Sequence, residues 1–143
     1  MMDARSEKNL IAVHPRLVAV VRRGAELCQA RHGFTPTVIE GVRSQARQLE
    51  MFAQGRTKPG PIVTWLKVSN HMVHPDNGFG HAVDMAHVAG GQVLWSDGDK
   101  IAECMFAAAH ELGAGIRWGA DWDRDGKPHE RGEIDSPHFE LAK

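Results

Sequence analysis

The chain has 143 residues, enough to bury one proper core and short for two domains. A formal net charge of -1, with no run of Lys or Arg, gives nucleic acid no basic surface to bind, and no apolar run is long enough to cross a membrane. An apolar share of 42% and a charged share of 24% are ordinary for a water-soluble globular domain.

The opening "MMDARSEKNL" is polar, carries Asp3, Arg5 and Glu7, and lacks the apolar centre of a secretion signal. Residues 1–12 are therefore expected as a loose lead-in to a single domain over 1–143, in a chain that is made in the cytoplasm. Pro15 suits the first position of a helix running to about Arg31. Within it Leu17, Val21, Gly24 and Cys28 recur at helical spacing, and Val20 and Leu27 widen the stripe. "TPTVIEGV" is short and β-branched, the pattern of a strand. Ser44 can cap a second helix, "QARQLEMFAQ", which Gly55 ends, and "GRTKPGP" follows as a loop. "HAVDMA" reads as a strand behind an Asp76-Asn77-Gly78 turn. "DKIAECMFAAAHELG" is the plainest helix: Ile101, Cys104, Met105, Ala108, Ala109 and Leu112 share a face, and Gly113 stops it. "GIRWGADW" and "PHFEL" are strands on either side of the polar loop "DRDGKPHERGEID". Helices and strands mix without a βαβ rhythm, so the expected class is α+β, with helices packed on a small, mostly antiparallel sheet.

Cys28 and Cys104 fall at apolar helix positions and lack the spacing of a zinc ribbon, so two buried thiols are expected. Any metal must then be held by His and carboxylates. The stretch "SNHMVHPDNGFGHAVDMAH" concentrates such groups, with four histidines and two aspartates in nineteen residues. A catalytic zinc takes three converging protein ligands and leaves a fourth position for water. Residues two apart in a strand share a face, which puts Gly80, Ala82 and Asp84 together and turns His81 and Val83 away. The small Gly80 and Ala82 leave room for an ion or substrate beside Asp84. A further ligand must come from elsewhere; His138, at the lip of the closing strand, is a candidate, and Asp135 is a carboxylate three residues earlier. Taken singly, each of these residues is more often plain surface.

Together, "SNH", "GHAVDMA", the long helix, "GIRWGADWD" and "DSPHFEL" resemble the zinc peptidases of the D-Ala-D-Ala carboxypeptidase and hedgehog-like superfamily. They are most similar to the phage endolysins that cleave peptidoglycan stem peptides, the L-alanyl-D-glutamate endopeptidases. The resemblance runs from Val38 to Leu141 and implies a hedgehog/DD-peptidase-like fold. It implies the metal ligands His71, Asp84 and His138, and Asp135 as the catalytic carboxylate. It places Ser69 at the family's serine position near substrate, and makes Arg43 of "EGVRS" the residue that holds substrate or polarises its carbonyl. In the usual pattern the first ligand stands seven residues before the Asp, where this chain has Asn77; "SNH" places His71 thirteen before. A six-residue insertion within "MVHPDNGF" accounts for the difference. His74 is the rival ligand, and His71 is preferred because it keeps the serine two residues before it. His14, His32, His87, His110 and His129 are read as solvated or hydrogen-bonded, and His81 as facing away from the site. The implied chemistry is attack by an activated water, with Asp135 moving the proton and Arg43 stabilising the oxyanion.

A second ion site is suggested by "DWDRDGKPHERGE". Asp121, Asp123 and Asp125 with Gly126 begin as a calcium loop does, but the twelfth position is Gly132 rather than Glu. The functional expectation is a monomeric, zinc-dependent phage or prophage lysis enzyme acting on the stem peptide and reaching the wall through a holin. One alternative is a D-Ala-D-Ala carboxypeptidase or dipeptidase using the same site. Another is a zinc-stabilised wall-binding module without catalysis, which would have no need of Asp135 and Arg43.

Overall fold

The computed structural model describes residues 2–43, 45–57, 59–60, 71–73, 78–120 and 135–142, without the side chains of 45, 46, 135 and 136. Its first residues correct the expectation of a loose lead-in. Asp3 caps a short helix, α1 (Ala4–Asn9), by accepting the Ser6 N–H at 2.8 Å. Met2 and Leu10 enter the core on either side of it. A helix this short does not persist by itself in water. It is held by the first strand, β1 (Thr37–Glu40). Val38 N donates to the buried Ser6 Oγ at 2.9 Å, and Asn9 Nδ2 donates to Val38 O at 2.8 Å. β1 lies at the edge of the sheet, so these side chains occupy backbone groups that an open edge would expose.

The Ser6 N–H is also the main reason that the Asp3 carboxyl titrates below its ordinary value. Its stabilising effect is therefore present above the ordinary carboxylate range and is lost as pH falls through the lowered value. Replacing Asp3 with Ala is expected to cost about 1 kcal/mol at neutral pH. Denaturant titration of both proteins checks this, and the gap between them should narrow in acid.

The two long helices form where their stripes predict, α2 (Pro15–His32) and α4 (Gly98–Leu112), and pack on each other. A Cβ on Gly24 would stand 2.7 Å from Met105 Sδ, so the glycine lets the helices close. Cys28 and Cys104 are buried free thiols in this layer, and burial is the main cause that raises both, Cys28 to about 12. Gly113 ends α4 in the left-handed conformation, as expected. Leu112 does not join the apolar face: it is 47% exposed, and the core cluster reaches no further along the helix than Ala109. The remaining helix, α3 (Gln45–Ala53), follows Ser44, a position outside the described residues.

The sheet is antiparallel among the described residues and runs β1, β2 (Ala82–Ala89), β5 (Asp135–Leu141), β4 (Ile116–Gly119). A short strand that sequence reasoning missed, β3 (Gln92–Leu94), folds back on β2 through Gly90-Gly91, both at positive φ. Such a glycine pair is the signature of a two-residue hairpin. Register decides which side chains meet. Val83 lies opposite Phe139, and both are fully buried in the core cluster with α2 and α4. One residue along, Asp84 lies opposite His138 on the other face.

Candidate metal centre

Asp84 and His138 are neighbours because β2 and β5 pair antiparallel with their Cα atoms in register. Side chains directly opposite on one face of such a pair stand within contact distance. His71 comes from outside any helix or strand and is fixed by backbone. Arg43 N donates to His71 O at 2.7 Å, and Gly80 lies beneath the same segment. A Cβ on Gly80 would stand 3.0 Å from Val42 Cγ2 and 3.2 Å from His71 O. The small residue at 80 therefore lets the His71 segment lie against the chain leading into β2, rather than clearing space for an ion. Val73 and Gly80 pair as an antiparallel bridge. Residues 74–77, with the rival His74 and part of the expected insertion, lie outside the described residues.

The hydrogen bonds assign both tautomers. His71 Nδ1 donates to Gly41 O at 2.9 Å, leaving Nε2 as a lone pair. His138 Nε2 donates to a carboxylate oxygen of Glu140 at 2.8 Å, leaving Nδ1 as a lone pair. His71 Nε2 and His138 Nδ1 stand 3.1 Å apart. Asp84 Oδ1 lies 3.2 Å from His71 Nε2 and 3.4 Å from His138 Nδ1, buried and without a hydrogen-bond partner. Burial alone would raise the Asp84 pKa, but the imidazoles of His138 and His71 more than offset this and hold it below the usual carboxylate range. In their neutral forms the two imidazoles and Asp84 Oδ1 can all turn lone pairs to one point, where a cation can take the place of a shared proton.

The dimensions agree. Ligand bonds of about 2.0–2.1 Å in a tetrahedron set the ligand atoms about 3.3 Å apart, and the observed triangle has sides of 3.1, 3.2 and 3.4 Å. His71, Asp84 and His138 can therefore hold a metal ion. Two imidazoles and a carboxylate suit zinc and also other divalent transition metals.

Arg43 stands beside this centre, buried, with Nε donating to Glu40 at 2.8 Å and Nη1 to Gln48 at 2.6 Å. Glu40 pairs in register with Asp84 on the side of β2 away from His138. Asp135 opens β5 opposite Gly119, and its side chain lies outside the described residues. Ser69, Asp121, Asp123, Asp125 and His129 also lie outside them. His81 packs edge-on to His14, 5.2 Å between ring centroids, and His87 stacks on Phe34 with Nδ1 bonded to Asp97 at 2.6 Å. His32, Glu103 and Cys104 form a second grouping of ligand types. There Glu103 already pairs with Arg31 and burial keeps the Cys104 thiol protonated, so it reads as packing between α2 and α4.

Two parts of the centre went unpredicted. One is the Gly41 carbonyl that orients His71. The other is Glu140, whose signal was available: it stands two residues after His138 in a strand and so shares its face. Gly41 is also where α1 touches the centre, because a Cβ there would lie 1.7 Å from Asn9 O. Gly41→Ala is expected to displace α1 or the His71 acceptor at a cost of about 3 kcal/mol, read by thermal unfolding.

The sequence model of the phage L-alanyl-D-glutamate peptidase family matches residues 1–142. The chain is 32% identical to the L-alanyl-D-glutamate peptidase of Escherichia phage T5 over 143 residues, covering 96% of this chain and 94% of that one. It is 29% identical over 138 residues to the peptidoglycan L-alanyl-D-glutamate endopeptidase CwlK of Bacillus subtilis, covering 90% and 73%. The crystal structure of the Serratia marcescens L-Ala D-Glu endopeptidase ChiX shares 34% identity, with a TM-score of 0.69 over 97% of this chain and 87% of that one. Matched by the family's model over residues 1–142, and 32% identical to the phage T5 enzyme over nearly the whole length of both, this chain belongs to the phage L-alanyl-D-glutamate peptidase family.

Proposed function

We propose that this chain is a zinc-dependent endopeptidase that hydrolyses the L-Ala–D-Glu bond of peptidoglycan stem peptides, as a phage or prophage endolysin. The observation that carries the reading is the convergence of His71 Nε2, His138 Nδ1 and Asp84 Oδ1 on one point in a member of this family. Zinc held by these residues supplies a water that deprotonates near pH 7 and a Lewis acid for the scissile carbonyl. Asp135 precedes His138 by three residues on β5 and is the general base. It takes a proton from the attacking water and returns it to the leaving amine of D-Glu. Glu40 and Gln48 hold two nitrogens of the Arg43 guanidinium and so fix its plane, ready to meet the carbonyl oxygen as charge builds there. Ser69, at the family's serine position two residues before His71, is the other substrate-binding residue beside Arg43.

Arg43→Lys is expected to lower kcat/KM about 100-fold and leave zinc affinity unchanged, since a lysine cannot bond Glu40 and Gln48 with a fixed plane. Steady-state kinetics on a soluble stem peptide, beside metal titration, checks both halves. No described helix is long and apolar enough to cross a membrane, and passage through a holin would bring the enzyme to its substrate. Lysis from within cells with and without a co-expressed holin tests that step. Asp121, Asp123 and Asp125 are the candidate calcium ligands. They precede Asp135 and His138 in sequence, so calcium would order the approach to the centre. Calcium titration that leaves both activity and Tm flat removes that part of the proposal.

A further inference from the structure

The two ligand imidazoles meet the centre through different nitrogens. His71 uses Nε2, the outer nitrogen, and His138 uses Nδ1, the nitrogen nearer the backbone. The contact at the opposite side of the His138 ring explains the difference. Glu140 accepts from His138 Nε2 at 2.8 Å, and Glu140 is itself buried. Its other carboxylate oxygen lies 3.9 Å from Arg117 Nη1, and Arg117 stands directly across β4 from Glu140. On the remaining side Glu140 faces Ala82 in β2, a methyl that leaves the carboxylate room beneath His138. Arg117, Glu140 and His138 thus form a line across two strands that ends at the centre. The register creates it: Glu140 and His138 share a face of β5, and Arg117 is the cross-strand partner of Glu140.

We infer that Glu140, anchored by Arg117, is the positioning residue that fixes the His138 tautomer and turns its Nδ1 toward the metal. A carboxylate behind a ligating histidine raises the ring's basicity as well as fixing its orientation. A neutral His138 without this partner can place its hydrogen on Nδ1, where it would point at His71 Nε2 and Asp84 Oδ1 and close the centre to a cation. Glu140 touches no substrate in this role and acts only through His138.

The inference rests on the proposed metal centre, and the test separates the two. Zinc and cobalt affinities are measured by chelator competition for wild type, Glu140→Gln and Glu140→Ala. The imidazole nitrogens of His138 are read by long-range proton–nitrogen NMR. Glu140→Ala should weaken metal binding roughly 10- to 100-fold. Glu140→Gln keeps the shape and a carbonyl acceptor, so it should fold as wild type and recover part of that loss. NMR of the metal-free wild type should show the hydrogen of His138 on Nε2, and of the metal-loaded protein a ligated Nδ1. A wild type that takes up no metal overturns the centre and the inference together. A wild type that binds metal, with both variants binding equally well or with Nε2 as the ligated atom, overturns the positioning role alone.

Discussion

Asp135→Ala protein is expected to bind zinc as wild type does and to lose its hydrolysis of peptidoglycan. The general base contributes about 10²- to 10⁴-fold to such a step, so the residual rate should be near the limit of detection. The residue is outside the ligand triad, which is why metal content should not follow activity. Wild-type digests read by mass spectrometry should show a free L-Ala carboxyl on the glycan side and a new D-Glu amine. Release of D-Ala alone would instead assign the centre to carboxypeptidase chemistry on the same ligands. Intact peptidoglycan in the presence of a zinc-loaded wild type would leave a wall-binding module as the reading to pursue. An Asp135→Ala protein as active as wild type would remove the residue from the mechanism and turn attention to another base near the end of β5.

The parts of the centre that lie on regular elements could be read from sequence, and the parts that depend on tertiary contacts could not. Asp84 followed from period-two alternation in "GHAVDMA", and the same logic turned His81 away, where it packs on His14. His138 was found in its strand, but its place opposite Asp84 is a matter of register, which no local pattern in "PHFEL" states. His71 lies on no periodic element. Only its likeness to the family's Ser-x-His selected it, and the structure shows why spacing was silent: it is held by tertiary contacts, among them Arg43 N to His71 O and His71 Nδ1 to Gly41 O. Polarity misled at α1. "MMDARSEKNL" is hydrophilic because most of its short helix faces water, while among its described residues Met2, Ser6 and Leu10 alone are buried, too few to show a stripe. Leu112 failed in the opposite sense, since a helical stripe continues past the point where the core ends.

Asp84→Asn should separate the cost of building this centre from the gain of filling it. In the wild type without metal, the buried Asp84 Oδ1 stands 3.2 Å from His71 Nε2 and 3.4 Å from His138 Nδ1, and these imidazoles more than offset the burial of its charge. An amide at position 84 carries no charge for them to favour. In a chelator, therefore, Asp84→Asn is expected to melt below the wild-type temperature. Zinc should widen the gap. A ligand at a thousand times its Kd stabilises the folded state by about 4 kcal/mol, which for a chain of this length raises Tm by roughly 10 °C. That gain should appear in wild type and vanish in the variant, because an amide is a poor ligand and carries no charge to balance the ion. Scanning calorimetry of both proteins with chelator and with zinc gives four melting temperatures that fix the sign of each effect. A variant that keeps the full zinc shift would show that Asp84 is not a ligand. A variant that melts at or above wild type in chelator would show that burying the carboxylate costs more than its imidazole partners return.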